Sequence, residues 1–184
     1  MMRGVSVLLM LLLSAPAAAT EWHVDYEASR LGFSGVQTGA RFDGRFERFD
    51  AAIRFDPEKL GEAQVAVEID MASAITGNAQ RDTAVKQPEW FDVASFPTAA
   101  FEVRKFRALG DGRYQARANL TIKGASRRVS FPVAIEISGD TAQAEGAVTV
   151  DRAKFNVGTG QWASGQWVGR DVTISFALVA RRKP

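Results

Sequence analysis

The chain of 184 residues contains no cysteine and a single histidine, His23. Without thiols there is no disulfide, no thiolate nucleophile and no cysteine-bound zinc. One histidine does not form a metal cluster by itself, and the strand-like run around His23 gives no support to a Ser-His-Asp triad. We therefore expect a protein held together by its core alone, with no catalytic residue and no metal site.

An excess of charge of one sign is also missing. The chain has 23 Lys and Arg against 21 Asp and Glu, a formal net charge of +2. Proteins that bind nucleic acid usually carry a cluster of basic residues that neutralises phosphates, and this sequence has none. No pattern brings two acidic side chains together as paired-carboxylate catalysis requires. We expect no nucleic-acid partner and no acid-base enzyme of that type.

Long apolar runs are absent except at the start of the chain. Residues 5–13 read VSVLLMLLL and lie between Arg3 and the small residues of 15–19. This order is typical of a secretory signal peptide, whereas a membrane-spanning helix, the alternative, needs about 20 apolar residues. We predict a cleavable signal peptide over residues 1–19, a single domain over residues 20–184 and export to the periplasm.

Apolar and polar residues alternate with period two over much of the remaining chain. The clearest segments are residues 65–71, 114–122, 129–137 and 174–180. Such alternation predicts antiparallel strands with one buried face each, and the short glycine-containing turns between them predict hairpins. Strands of this length leave exposed edges in an open sheet, and closure removes them. The sequence therefore predicts an all-β, up-and-down antiparallel barrel of about eight strands.

The alternation is interrupted in three places. Near Glu47 the apolar phase changes from even to odd positions, which predicts a bulge or tight turn. After Asp56 a Pro at the first helical position predicts a short helix. Between residues 76 and 91 the alternation disappears, and a second short helix is predicted over residues 78–86 with Asn78 as its N-cap. This helix has only a weak apolar stripe. We therefore predict that it covers the barrel mouth as a lid and is not a core helix.

Aromatic residues are abundant, with 12 Phe, 4 Trp and 2 Tyr, and EWFDVASFPTAAF at 89–101 holds four of these rings. Packing is the first explanation for buried Phe. A barrel of about eight strands, however, either fills its lumen with its own side chains or holds one small ligand. Small residues such as Ala116 and Ala144 fall on the inward phase and leave volume beside the rings. We therefore favour an apolar cavity over a filled core.

Six segments, taken together and in order, resemble the YceI-like family of bacterial periplasmic proteins. They are GARFDGRFERFDAAIRFDP, IDMASAITGNAQRD, EWFDVASFPTAAFEV, GRYQARANLTIKGASRRVSFPV, DRAKFNVGTGQW and WVGRDVTISFALVARR. The resemblance runs from about Trp22 to Arg181. It implies an extended, lipocalin-like barrel whose apolar channel holds a polyisoprenoid, an isoprenoid quinone or a fatty-acid derivative, without catalysis and without any other cofactor.

Some members of that family accompany a membrane cytochrome of the b561 type or are fused to one. The Q-x-G element at Gln37 and Gly39 resembles that branch. Other branches have a histidine-containing HLG element there, so contacts made by that histidine are not carried over. The resemblance thus adds a membrane cytochrome to the expected partners, and a homodimer also stays open.

The alternation and the resemblance together give a set of candidate site residues. The predicted channel-lining residues are Phe33, Phe42, Phe46, Ile53, Phe55, Ile69, Trp90, Phe91, Phe96, Phe101, Leu120, Phe131 and Phe176. The predicted contacts to a polar head group at the mouth are Arg81, Asp82 and Gln37. For Arg81 and Asp82 a surface ion pair of little energetic value is the simpler explanation, and the head-group contact is the functional alternative.

Three functions follow from these expectations. The first is a periplasmic protein that sequesters or carries a long-chain amphiphile. The second is an accessory protein that docks on a membrane b-type cytochrome through an aromatic rim and holds no lipid. The third is an enzyme acting on isoprenoid or quinone substrates, which requires an acid or base with a perturbed pKa inside the channel.

Overall fold

The fold was analysed in a computed structural model that describes residues 19–184. Apart from Ala19, the predicted signal peptide lies outside the described residues. The described strands are β1 Glu21–Val24, β2 Arg30–Gln37, β3 Ala40–Phe46, β4 Phe49–Arg54, β5 Gln64–Asp70, β6 Ala74–Ile75, β7 Thr98–Gly110, β8 Arg113–Ile122, β9 Ala125–Ser138, β10 Thr141–Asp151 and β11 Asp171–Arg182. One α-helix, α1 (Ala79–Ala84), accompanies them, together with short 3-10 turns. None of the described helices is long and apolar enough to cross a membrane.

The sheet closes on itself. Strand β1 pairs with β4 on one side and with the last residues of β11 on the other. The ring then runs β1, β4, β5, β7, β8, β9, β10 and β11, and every pairing in it is antiparallel. The predicted all-β antiparallel barrel of about eight strands is therefore confirmed. Two-residue turns follow β7, β8 and β9, and each contains a glycine, as predicted for the hairpins.

Three strands of the ring are each accompanied by a second strand farther along the wall. Strand β2 accompanies β1, β3 accompanies β4, and β6 accompanies β5. Strand β2 pairs with the first half of β11, beyond the part that pairs with β1. Strand β3 follows β2, and the short β6 follows β3. Strand β7 pairs with β5 and not with β6. Strands β2, β3 and β6 therefore extend one side of the barrel wall. The wall is incomplete beside β6, because β7 does not pair with it.

The segment from α1 to Pro97 covers this incomplete side. Val85 and Phe91 pack against Phe33 and Ala74 of the wall. On the other side, the carbonyl oxygen of Glu89 accepts hydrogen bonds from the backbone N–H groups of residues 158 and 159, at 2.7 and 2.9 Å. The Pro-bracketed aromatic stretch thus closes a gap that backbone pairing leaves open.

The predicted change of phase near Glu47 is where β3 ends and β4 begins. The backbone N–H of Glu47 donates to the carbonyl oxygen of Ser73 at 3.2 Å, and that of Arg48 donates to the Ser73 hydroxyl at 3.1 Å. Ser73 is itself buried. These bonds satisfy the turn, so that Phe46 and Phe49 both face inward although they lie three residues apart.

The predicted helices are shorter than expected. Helix α1 begins after Asn78, whose side-chain oxygen accepts a hydrogen bond from the backbone N–H of Arg81 at 3.0 Å, and it ends at Ala84 instead of Lys86. After Asp56 there is no α-helix. The Asp56 carboxylate accepts the backbone N–H of Glu58 at 3.0 Å, and a single 3-10 turn follows at Leu60–Glu62. An aspartate that bonds two residues ahead favours a turn over a helix start.

Candidate functional site

The barrel encloses an apolar cavity of about 420 Å³. This volume lies in the range of about 300 to 1,000 Å³ that is usual for ligand sites. The inward residues of β10, such as Ala144 and Val148, are only half buried although they point to the barrel axis, and their outward neighbours are exposed. Inward side chains keep accessible surface here because they face open space instead of a packed core.

One end of the cavity is closed by aromatic packing. The ring of Phe55 makes edge-to-face contacts with Phe106 and Tyr114, at centroid distances of 5.2 and 5.4 Å. Trp22 is 5 % exposed, and its indole N–H donates to the carbonyl oxygen of Phe55 at 2.9 Å. Burial, followed by the nearby charge of Glu58, raises the pKa of the Tyr114 phenol. Aromatic side chains therefore close this end, and none of the carboxylates in residues 19–184 lines the cavity there.

The walls carry nearly all of the predicted channel-lining residues. Those that line the cavity are Phe33, Phe42, Phe46, Ile53, Phe55, Ile69, Trp90, Phe91, Phe101, Leu120, Phe131 and Phe176. Several of these rings also contact one another, as Phe101 does with Phe131 and Phe131 with Phe176, at 5.7 and 6.0 Å. The geometry places these residues around one space, and their contact with a ligand stays a prediction.

Two predicted site residues lie elsewhere. Phe96 does not line the cavity. It follows the turn at residues 93–95, and its ring packs beside the turn between β8 and β9, where a Cβ on Gly124 would lie 3.0 Å from the ring. Asp82 does not line the cavity either. Its carboxylate accepts the backbone N–H and the hydroxyl of Thr76, at 2.7 and 2.6 Å. Asp82 therefore holds the loop before α1 in place and forms no ion pair with Arg81.

The other end of the cavity is a polar mouth. Gln37 at the end of β2 and Arg81 of α1 both line it, and the Arg81 Nε donates to the Gln37 side-chain oxygen at 3.1 Å. The guanidinium carbon of Arg81 lies 4.3 Å from the centroid of the Phe42 ring, which is a cation–π contact. Thr76, Asn78 and Gln80 also line the cavity at this end. The two predicted head-group residues that reach the cavity are therefore joined to each other.

A second arginine, Arg152, is buried beside the same mouth at 3 % exposure. Its five N–H donors all bind backbone carbonyl oxygens, at 2.6 to 3.0 Å. The acceptors are Val157, Gly158, Trp162, Val168 and Gly169. Its guanidinium also lies 5.2 Å from the Trp90 ring centroid. Burial lowers the pKa of Arg152, but a guanidinium keeps its proton at any physiological pH.

The two arginines are connected through the strand that carries Gln37. Gln37 forms an isolated antiparallel bridge with Val168, and the carbonyl oxygen of Val168 accepts a hydrogen bond from Arg152 at 2.7 Å. Arg81 binds the side chain of the same glutamine. Arg152 therefore shapes the loop over residues 157–169, and that loop in turn fixes the β2 end against which Arg81 is held.

The sequence reasoning missed Arg152. It lies in a 3-10 turn directly after β10, where no alternation applies, and its five acceptors come from a glycine-rich loop that follows. The available signal was an arginine placed immediately before a loop whose many backbone carbonyls lack strand partners. The rim residues Thr76 and Asn78 were missed for a similar reason, since they belong to irregular segments.

Few kinds of chemical group line the cavity. Within residues 19–184, Arg81 and Arg152 are the only charged side chains on the cavity wall, and the wall holds no Asp, Glu, His or Lys. The same residues contain no group of three or more His, Asp or Glu side chains close enough to hold a metal ion. The cavity can therefore bury an apolar body and meet a polar group at its mouth.

Comparison with solved structures places this barrel among known relatives. The crystal structure of Burkholderia cenocepacia BcnA aligns with a TM-score of 0.82 at 32% identity, over 85% of this chain and 99% of that one. A polyisoprenoid binding domain from Saccharophagus degradans aligns with a TM-score of 0.72 at 16% identity, over 89% and 99% of the two chains. At that identity the second match shows the fold alone.

Comparison of sequences identifies relatives as well. UPF0312 proteins of Vibrio cholerae are 24% identical over 106 residues, and the chain spans about half of their length, 53%. A UPF0312 protein of Pseudomonas aeruginosa is 28% identical over 140 residues, which is 73% of this chain and 70% of that protein. The family model for the YceI-like domain matches residues 22–180. The chain therefore belongs to the YceI-like family.

Proposed function

We propose that this protein binds one long-chain amphiphile inside its barrel, with the apolar tail directed toward Trp22 and the polar head at the mouth beside Arg81. The observation that carries the proposal is an open apolar cavity with aromatic packing at one end and polar side chains at the other. Each buried methylene contributes about 0.8 kcal/mol, so a tail of a dozen carbons offsets the cost of ordering the ligand.

An isoprenoid or acyl tail is the class of ligand that we favour. The likeness to a polyisoprenoid binding domain supports an isoprenoid chain, such as a polyisoprenoid or an isoprenoid quinone. A fatty-acid derivative suits the same wall, because burial of apolar surface is not directional. We propose that the protein sequesters or carries this ligand in the periplasm after export.

The makeup of the wall supports binding without catalysis. An enzyme acting on the bound ligand by acid-base chemistry needs an acid or base within hydrogen-bond reach. The two arginines on the wall are permanently protonated, and the described lining offers no carboxylate, histidine or lysine. This arrangement favours a carrier over an enzyme acting on isoprenoids or quinones.

One observation keeps the cytochrome-docking hypothesis in view. Trp167 is 54% exposed and Val36 is 43% exposed, and they lie on adjoining segments, because the backbone N–H of Gly169 donates to the Val36 carbonyl oxygen at 2.8 Å. Such a rim suits contact with a membrane protein. Docking without a lipid was expected to go with a filled lumen, however, and the open cavity favours ligand binding. The cytochrome partner and the homodimer stay predictions.

The proposal is tested by asking whether a long-chain amphiphile copurifies with the protein. The protein is purified from the periplasm of its own host, measured by native mass spectrometry and extracted with organic solvent. Ala144→Phe places a ring in the cavity, whereas the matched control Ala147→Phe places the same ring on the exposed face of the same strand. We expect bound amphiphile in the wild type and in Ala147→Phe, and little in Ala144→Phe. Repeated recovery of empty wild-type protein would refute the proposal.

A further inference from the structure

The distribution of charge on the cavity wall distinguishes between ligand head groups. The wall residues within 19–184 include two cations, Arg81 and Arg152, and no anion. Both cations are at the mouth, because Arg81 binds Gln37 and Arg152 binds the carbonyl of Val168, the bridge partner of Gln37. The rest of the wall is almost entirely apolar. The charged side chains that line the mouth, where a head group would lie, are therefore both cationic.

Neither cation forms an ion pair with a carboxylate among the described residues. The carboxylate of Asp82, the sequence neighbour of Arg81, binds the backbone N–H and the hydroxyl of Thr76 instead. Arg152 is satisfied entirely by the dipoles of backbone carbonyls, which leave its net charge in place. Burial lowers the pKa of Arg152 more than the nearby charge of Asp151 raises it, and Asp151 forms its ion pair with Arg170. A buried cation without a direct ion pair is costly, and an anion arriving at the mouth reduces that cost.

The two arginines contribute in different ways. Arg152 has no N–H left to offer, since all five bind carbonyl oxygens, so it acts only through its charge. The Nε of Arg81 donates to the Gln37 side-chain oxygen, and the terminal nitrogens of Arg81 form no hydrogen bond to any described residue. These terminal nitrogens have the geometry that binds a carboxylate or a phosphate through two parallel hydrogen bonds.

We propose that the barrel prefers single-tailed amphiphiles with an anionic head, a carboxylate or a phosphate monoester, over neutral amphiphiles with the same tail. The inference rests on the proposed function and narrows it. Arg81 contacts the head group directly, and Arg152 adds charge from beneath the loop over residues 157–169. A neutral quinone or alcohol then binds through its tail alone.

The test compares ligands that differ only in the head. One arm uses hexadecanoate against hexadecan-1-ol, and a second uses farnesyl phosphate against farnesol, so that carboxylate and phosphate are separated. Affinities are measured by quenching of tryptophan fluorescence, since Trp90 and Trp162 both line the cavity. We expect the anion of at least one pair to bind about tenfold more tightly than its alcohol.

Three variants decide whether Arg81 is responsible. Arg81→Gln is expected to lose most of the preference, because the affinity for the anion falls much more than the affinity for the alcohol, and Arg81→Lys is expected to retain part of the preference. Arg41→Gln is the control, because it removes an equal charge from β3 at a side chain that is 71% exposed and paired with Asp43 outside the barrel. It is expected to leave the preference unchanged. The second arginine is not substituted here because it holds the loop.

The outcomes are distinct. Equal affinity for anion and alcohol in both pairs overturns the inference and leaves the proposed function standing. An equal loss of anion and alcohol binding in Arg81→Gln also overturns it, because the residue then acts only on the shape of the mouth. If no amphiphile of either kind binds the wild type, the proposed function fails and the inference fails with it.

Discussion

The ring of Phe176 on β11 lies directly against Gly146 of the neighbouring strand β10, and a Cβ at Gly146 would be 2.6 Å from its Cζ. The same arrangement recurs in the adjoining strand pair, where Phe33 of β2 lies against Gly44 of β3, its cross-strand partner. A glycine opposite an inward phenylalanine lets the ring lie along the wall. The cavity stays open partly because these two rings lie against the glycines of the wall and do not project into the lumen.

Substitution of Gly146 by Ala is therefore expected to narrow the cavity. The added methyl group displaces the Phe176 ring toward the lumen, which we expect to weaken binding of a long tail several-fold and to cost about 1 to 3 kcal/mol of unfolding free energy. Ligand titration and urea unfolding measure the two effects. Gly61→Ala is the control, since nothing lies within 4 Å of its added Cβ. Unchanged affinity in Gly146→Ala would show that the ring moves elsewhere.

The proposed orientation of the tail predicts a dependence of affinity on chain length. Affinity is expected to rise about fourfold for each added methylene, the equivalent of about 0.8 kcal/mol, until the tail reaches the packed end. Ala142 lines the cavity near that end, opposite Ala180 of β11. Ala142→Leu should bring the plateau to shorter chains and leave short ligands unaffected.

A homologous series of saturated fatty acids, titrated into both proteins, measures this plateau. Gln143→Leu is the matched control, because residue 143 is exposed on the outer face of the same strand. If Ala142→Leu weakened the shortest ligands as much as the longest, the tail would not point toward Trp22.

The strands and most of the wall could be predicted because alternation with period two is a direct image of a half-buried strand. Phe101, Leu120 and Phe176 lie on regular strands, and their inward direction follows from the phase. Phe96 was misplaced because Pro97 separates it from β7, so the phase of that strand does not extend to it. Irregular segments carry no period from which direction can be read.

The mouth was harder to predict for a different reason. Arg81 and Asp82 are adjacent in sequence, but successive residues of a helix point about 100° apart. Arg81 therefore reaches Gln37 while Asp82 turns back to Thr76. The role of Arg152 depends on five carbonyl groups whose positions only the folded loop defines. Side chains that bind irregular backbone cannot be identified from composition or pattern.

The ion pair between Asp151 and Arg170 predicts a dependence of stability on pH. The hydrogen bond from Arg170 holds the pKa of the Asp151 carboxyl below its ordinary value of 3.8. The ionised carboxylate therefore stabilises the fold above that ordinary value, and its contribution is lost as the pH falls through the lowered pKa. Asp151→Asn keeps a side-chain oxygen that accepts the backbone N–H of Ala153.

We expect Asp151→Asn to reduce the free energy of unfolding by up to about 1 kcal/mol at neutral pH, because the Arg170 side chain is half exposed. The difference from wild type should shrink toward zero as the pH is lowered. Urea unfolding of both proteins between about pH 7 and pH 2 measures it. A difference that stays constant over this range would mean that the charge of Asp151 contributes nothing.

Arg152 is expected to stabilise the loop over residues 157–169 more than any other side chain. Arg152→Met keeps much of the apolar stem but leaves five carbonyl groups without their donor, and it is expected to cost about 3 kcal/mol or more. Arg152→Lys should recover less than half of this, because an ammonium group has three donors and lacks the planar fork.

Arg128→Met, at an exposed position on β9, controls for loss of a charge. Urea unfolding measures the stability, and amide hydrogen exchange should show faster exchange across the loop in Arg152→Met alone. Full recovery by lysine would mean that the positive charge matters and the five-fold hydrogen bonding does not.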